Sequence, residues 1–87
     1  MNEPRVTYDS EADALIVIFD ESPVARTLEV AGGRNVDFDD VGNVVAIEIT
    51  AVSAGFALDD LAEQYNLHDE VRRVERFLPK QFYKHYA

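Results

Sequence analysis

Five short runs in which apolar and polar residues alternate occupy residues 5–50 of this 87-residue chain. Alternation with period two is typical of half-buried β-strands. The segments between the runs are too short to hold crossover helices, so the strands are expected to run antiparallel. The predicted strands are residues 5–9, 14–19, 26–31, 34–39 and 44–50.

The turn between the third and fourth strands sets their register. A two-residue loop would pair Glu29 with the core residue Val36, which mixes the two faces of the sheet. A three-residue loop over residues 31–33 pairs Leu28 with Val36 instead, and it leaves Gly33 to adopt a left-handed conformation. We therefore predict the three-residue loop.

Residues 37–48, DFDDVGNVVAIE, have the spacing of a calcium-binding loop at four positions. An EF-hand loop lies between two helices, whereas the residues on both sides of this segment alternate as strands do. In addition, Val41 stands where an oxygen ligand is needed. The sequence therefore predicts a β-hairpin and no metal site.

The register of this hairpin follows from charge and turn chemistry. Closing the loop at Asp39 and Val44 avoids placing Asp37 directly opposite Glu48, where like charges repel each other. Gly42 then supplies the positive φ that the turn requires.

The period changes to that of helices after residue 57. Two apolar stripes fit two helices, and the phase breaks at residues 66–68, where Asn66 can cap the first helix; Pro79 ends or kinks the second. The stripes are Leu58, Leu61, Ala62 and Tyr65, followed by Val71, Val74, Phe77 and Leu78. The predicted fold class is α+β: one domain, residues 1–87, with an antiparallel β-meander of about five strands in residues 5–52. Residues 53–87 form a helical C-terminal extension that packs on one sheet face.

Composition narrows the classes of function. The chain has no cysteine, so disulfides and thiolate metal sites are excluded. No basic, apolar leader-like segment and no membrane-length apolar run is present. We therefore expect a cytoplasmic protein that has no cofactor and does not enter a membrane.

Charge is distributed unevenly along the chain. Residues 1–70 carry 16 acidic and 3 basic side chains, whereas residues 71–87 carry 1 acidic and 5 basic side chains. The resulting charges of −13 and +4 give the net charge of −9. An acidic body repels nucleic acid and attracts basic proteins, although high net charge also serves solubility alone.

Two stretches, YDSEADALIVIF (residues 8–19) and NVDFDDVGNVVAIEI (residues 35–49), resemble the conserved core of the domain-of-unknown-function 2283 family. The resemblance covers about residues 5–52, and Val41 and Ala46 depart from the family pattern. No activity is established for that family, and the position of some members beside small toxin-like genes implies antitoxin roles. The matching positions are Tyr8, Asp9, Glu11, Ala12, Asp13, Ala14, Leu15, Val36, Asp37, Asp39, Gly42, Ile47 and Glu48.

The second strand is apolar on both faces. Ile16 and Ile18 lie opposite the face assigned to the core, where a one-sided sheet would carry polar residues. A second subunit, a different protein or a helix that folds back could each cover them. We expect a homo-oligomer, a dimer, or a protein partner at this strand.

The C-terminal segment mixes basic and aromatic residues. Such residues are preferred in protein interfaces, and they also bind nucleic acid, which the acidic body disfavours. The alternatives are docking to a partner and packing across the domain's own acidic sheet. The candidate interface residues are Arg72, Arg73, Arg76, Phe77, Phe82, Tyr83 and Tyr86.

We predict that the chain is not an enzyme. Asp37, Asp39 and Glu48 share one sheet face, but acid–base catalysis needs a desolvated cleft that separates their pKa values. His68 precedes two acids at the start of a helix, a pattern that complements the helix dipole and does not converge on a metal.

The sequence thus indicates a small acidic interaction module. The function predicted from it is that of an antitoxin-like protein that neutralises a small basic, ribonuclease-type toxin. The alternatives are a self-associating structural domain and a small hydrolase that uses Asp37 and Glu48.

Overall fold

The computed structural model describes residues 4–85, which form a five-stranded antiparallel sheet followed by two short helices. The predicted α+β class is confirmed, and four of the five strands end one residue earlier than predicted. The elements are β1 Arg5–Asp9, β2 Ala14–Ile18, β3 Arg26–Val30, β4 Arg34–Phe38, β5 Val44–Ile49, α1 Asp59–Gln64 and α2 His68–Val74. Within residues 4–85, none of the helices has the length and apolar character needed to span a bilayer.

The strand order is β1-β2-β5-β4-β3. Strands β3, β4 and β5 follow one another as hairpins, and β1 and β2 form a further hairpin beside β5. The connection over residues 19–25 therefore carries the chain from β2 to the far edge of the sheet. As a result, β5 occupies the centre of the sheet.

The turn between β3 and β4 has the predicted three residues. Leu28 lies opposite Val36, and Gly33 has a φ of 70°. A Cβ atom on Gly33 would lie 2.8 Å from the Thr50 hydroxyl oxygen, so the close approach of the chains also requires glycine here.

Residues 37–48 form the predicted hairpin, with one shift in register. Phe38, rather than Asp39, lies opposite Val44, and the pairing is irregular at this point. The irregularity is a β-bulge that moves Val45 out of the core cluster, although Val45 remains buried. Gly42 has the expected positive φ, at 92°.

Both helices pack on one face of the sheet. Their apolar side chains and those of the strands form one cluster: Leu15, Val17, Phe19, Val36, Phe38, Ile47, Ile49, Val52, Phe56, Leu58, Leu61, Ala62, Leu67, Val71, Val74 and Leu78. Arg34 of β4 fixes α1 to the sheet, because its guanidinium donates to both carboxylate oxygens of Asp60 at 2.6 and 2.9 Å. Such two-point pairing orients the helix as well as holding it.

The break between the helices lies where it was predicted. Asn66 has a φ of 58°, and the amide of Leu67 donates to the carbonyl of Ala62, which closes the end of α1. Helix α2 tightens into a 3₁₀ turn, Glu75–Phe77. This turn rotates Phe77 away from the core, so the assignment of Phe77 to the apolar stripe is wrong; its side chain is 52% exposed.

The C-terminal segment returns to the domain and pairs with residue 56. The amide of Phe56 donates to the carbonyl of Phe82, and the amide of Lys84 donates to the carbonyl of Phe56. The ring of Tyr83 stacks on that of Phe56 at 5.4 Å between centroids. Phe82 and Tyr83 thus pack on their own domain, whereas Tyr86 lies outside the described residues.

Candidate functional site on the open sheet face

The sheet face opposite the helices is formed by residues that lie opposite one another in neighbouring strands. Ile16 lies opposite Glu48, and Ile18 lies opposite Ala46, which in turn lies opposite Asp37. We call this surface, defined by Ile16, Ile18, Asp37, Ala46 and Glu48, the open sheet face. Ile16 is 38% exposed there, so the described residues leave this apolar strand partly in contact with solvent.

A shallow groove of about 370 Å³ runs along the open sheet face. The segment between β2 and β3 forms one wall, to which Val24 contributes an apolar side chain that is 52% exposed. Four carboxylates and one arginine line the groove: Asp20, Glu21, Asp37, Glu48 and Arg5. Arg5 already donates to Glu21 at 2.8 Å, so its charge is paired within the groove. The groove therefore combines apolar side chains with an excess of acidic ones.

Two of the carboxyl groups in the groove are hydrogen-bonded to each other. Asp37 is only 4% exposed and accepts a hydrogen bond of 2.6 Å from the Thr27 hydroxyl. The hydrogen bond with Asp37, followed by burial and the charge of Asp37, raises the pKa of Glu48 to about 7. With this pKa, the Glu48 carboxyl is protonated in a substantial fraction of the molecules near neutral pH.

The polar neighbours of this pair make hydrogen bonds of their own. The hydroxyl of Ser22, which also lines the groove, donates to Asp20 at 2.8 Å. Asp39, which the sequence analysis placed on the same sheet face as Asp37 and Glu48, accepts the amides of Val41 and Asn43 in the turn. Among residues 4–85, no group of three or more acidic or histidine side chains is placed to share a metal ion.

The predicted interface residues of the C-terminal segment separate into two sets. Phe82 and Tyr83 are committed to packing, whereas Arg72, Arg73, Arg76 and Phe77 are exposed and line a cavity of about 390 Å³ together with Pro4. We call these four residues the basic ridge. None of the described residues that line its cavity is acidic, and the Arg76 guanidinium lies 4.8 Å from the centroid of the Phe77 ring.

The contacts that the sequence did not predict are mostly polar. The register that places Thr27 opposite Asp37 could have indicated their hydrogen bond, since a hydroxyl commonly partners a carboxylate across two strands. No pattern indicated the Tyr83 hydroxyl, which is buried without a hydrogen-bond partner among the described residues. Burial, together with Glu75 and Asp59, raises the pKa of Tyr83 to about 12.

The acidic motif at residues 8–13 has a structural role. Asp9 accepts the amides of Glu11 and Ala12, which closes the turn between β1 and β2. Asp13 has a φ of 53° and accepts hydrogen bonds from the amide and the hydroxyl of Ser53, at 2.9 and 2.7 Å. This motif therefore ties the first hairpin to the segment that follows β5.

Replacing Asp13 by alanine is expected to destabilise the protein by about 2 kcal/mol, since two hydrogen bonds to a charged group are lost and a non-glycine residue with positive φ is retained. Thermal unfolding should show a clear decrease in the melting temperature. Asp13→Asn, which keeps an acceptor and tolerates the left-handed conformation, should lose less. Glu11→Ala is the control, and equal melting temperatures for Asp13→Ala and this control would contradict the assignment.

Comparison with known proteins identifies the family of the chain. A family model described as a protein of unknown function (DUF2283) matches residues 5–53, which include all five strands. No curated protein and no solved structure matches the chain. Because the matched segment spans more than half of the 87 residues and agrees with the resemblance seen in the sequence, the chain belongs to the DUF2283 family.

Proposed function

We propose that this chain is a non-catalytic protein-interaction module whose open sheet face binds a basic protein. The observation that carries the proposal is the strand β2, which is apolar on both faces although the helices cover only one of them. Ile16 and Val24 offer apolar area for burial, and the carboxylates of the groove offer complementary charge. Apolar area supplies affinity, and charge supplies orientation and a fast approach.

The partner that we propose is a small ribonuclease-type toxin, which this chain neutralises in the cytoplasm as an antitoxin. Proteins that cleave RNA bind a polyanion, so their active surfaces are basic. The acidic body of this chain, with its charge of −13 over residues 1–70, would attract such a surface. A short reading frame that encodes a basic protein beside this gene is the expected genomic setting.

A catalytic role for the Asp37–Glu48 pair has weaker support. A carboxyl group with a pKa of about 7 suits general acid–base chemistry at neutral pH. However, the groove is shallow, the described side chains that line it include no histidine, and the Ser22 hydroxyl is held in the turn by Asp20. We therefore interpret the pair as a feature of a binding surface.

The test is capture of a partner from an extract of the native host. Ile16→Lys/Ile18→Lys places two positive charges on the open sheet face and should reduce capture of a basic protein at least about tenfold, a loss of about 1.4 kcal/mol. Leu28→Lys/Val41→Lys is the matched control, because both residues are exposed and apolar but lie outside the groove.

Circular dichroism should first establish that both variants are folded. Equal capture by the two variants, or capture of acidic proteins alone, would contradict the proposal.

A further inference from the structure

The open sheet face and the basic ridge carry opposite charges on the same molecule. We infer that the basic ridge of one copy docks into the groove on the open sheet face of a second copy, in a head-to-tail arrangement. This inference does not rest on the identity of any other partner. It commits the groove to one occupant whose residues are Arg72, Arg73, Arg76 and Phe77.

The charges of the two surfaces are complementary. The groove is lined by four carboxylates and a single arginine, and that arginine is already paired with Glu21. Among residues 4–85, those that line the ridge cavity include three arginines and no acid. Matched potentials of this kind orient two surfaces and suppress wrong pairings.

Charged groups on each surface also have few partners of opposite charge within their own chain. Among residues 4–85, no cationic side chain pairs with Asp37 or Glu48. On the ridge, the ion pair of Arg72 with Asp69 is 3.5 Å long and exposed on both sides, so it holds the guanidinium only weakly. A guanidinium presents parallel N–H donors that match the two oxygens of a carboxylate, so the arginines of the ridge suit the acidic lining of the groove.

Apolar contacts would supply the remaining affinity. Phe77 is 52% exposed on the ridge, and Ile16 and Val24 are exposed at the groove. Aromatic and arginine side chains together are the usual anchors at the centre of protein interfaces. The stacking of Arg76 on Phe77 already arranges one such pair.

We place the contact between two copies, because the ridge belongs to the helical layer on the opposite face of the sheet; within one chain, Arg73 and the groove residue Asp20 line a common cavity at the edge of the two layers. Since the two surfaces differ, the contact is heterologous, and it extends into a series unless the rotation closes a ring. The net charge of −9 opposes association over long distances, but the screening length of about 8 Å at physiological salt leaves the close contacts dominant. A basic protein partner would compete with the second copy for the groove.

Sedimentation of the wild-type chain at increasing concentration provides the test. We expect the average mass to rise with concentration and to fall when salt is added. Arg72→Ser/Arg76→Ser should weaken self-association at least about tenfold. Arg26→Ser/Lys84→Ser is the charge-matched control, because both side chains are exposed and lie outside the ridge and the groove.

Mixing two defective variants gives the sharpest result. Arg72→Ser/Arg76→Ser keeps an intact groove, and Ile16→Lys/Ile18→Lys keeps an intact ridge. Each variant alone should associate at least about tenfold more weakly than the wild type, whereas the mixture should form a 1:1 dimer and extend no further. Glu21→Lys/Glu48→Lys is a second groove variant that leaves Ile16 and Ile18 unchanged and serves if the isoleucine variant does not fold.

Three outcomes would overturn the inference: a wild type that stays monomeric at every concentration, a ridge variant that associates as the wild type does, or a mixture without a dimer. The result is separable from the proposed function. The ridge variant should still capture a basic protein through its intact groove, whereas failure of capture by the wild type itself would contradict only the proposed function.

Discussion

Removal of residues 79–87 is expected to lower the melting temperature by about 10–20 °C, which corresponds to about 3 kcal/mol in a domain of this size. The segment contributes two backbone hydrogen bonds to Phe56 and the stacked ring of Tyr83. Phe82 also packs against the core cluster. Removal of the segment would expose Phe56, which is only 5% exposed in the folded chain.

Single substitutions separate these contributions, and differential scanning calorimetry measures them. Phe82→Ala and Tyr83→Ala should each lose a part of the stability, by removing partly buried rings. Tyr83→Phe is the control, since it removes a hydroxyl that has no hydrogen-bond partner within residues 4–85 and should leave the melting temperature unchanged or slightly raised. A truncated chain that melts with the wild type would show that the segment does not contribute to the stability of the domain.

The free energy of unfolding is expected to decrease by about 1–2 kcal/mol between pH 5 and pH 8. The folded chain raises the pKa of Glu48 from 4.5 to about 7, so the folded state binds this proton more tightly than the unfolded state does. A carboxyl group of this kind stabilises the fold below its unfolded pKa and loses that contribution as the pH rises through the folded value. The magnitude is kept small because Glu48 remains partly exposed, where solvent screens its interaction with Asp37.

Glu48→Gln tests this dependence, because glutamine keeps the shape of the protonated acid. Urea unfolding at several pH values should show a gain for the variant at pH 8 and little difference at pH 5. Glu63→Gln, at an exposed position of α1, is the control. Asp20 and Asp60, whose pKa values are lowered by hydrogen bonds from Ser22 and Arg34, affect stability only at more acidic pH. Parallel curves for wild type and Glu48→Gln would exclude the shared proton.

The strands were predictable because each is defined by neighbours in sequence. Alternation located β1 to β5 to within one residue, and the parity of the loop 31–33 gave the pairing of Leu28 with Val36. The change of period gave the two helices, and Asn66 marked the end of the first. All of these features depend on interactions over a few residues, for which turn chemistry and periodicity are sufficient.

Features that join distant residues were not predictable in the same way. The pairing of β2 with β5 brings together Val17 and Ile47. The alternation of apolar residues does not indicate which strand lies next to β2, because the same pattern fits any of the strands as a neighbour. The bulge at Val45 depends on the fit of the turn to the sheet, and the pairing of Phe56 with the C-terminal segment has no local signal.

The candidate site lies between these two cases. Ile16 and Ile18 were located by the apolar run, and the basic ridge was located by composition. The Asp37–Glu48 pair was not, because the register correctly keeps the two residues from facing each other directly, and charge repulsion alone suggests that they stay apart. Asp37 and Glu48 are diagonal neighbours, and a proton can join their carboxyl groups. This interaction depends on burial, which the spacing of the two residues in the sequence does not reveal.

The helical layer has a consequence for how this architecture can vary. The family match ends at residue 53, yet eight of the buried core side chains come from later residues: Phe56, Leu58, Leu61, Ala62, Leu67, Val71, Val74 and Leu78. A chain truncated after residue 53 would expose the apolar face of the sheet to solvent, and an exposed apolar face of that size is not compatible with a stable monomer. The strands alone are therefore not a complete folding unit, because the helical layer has to cover their apolar face. The apolar face of such a sheet must be covered either by residues of its own chain or by another molecule. If the last 34 residues are exchanged for a different segment, the same apolar face then selects which segment or partner binds to it.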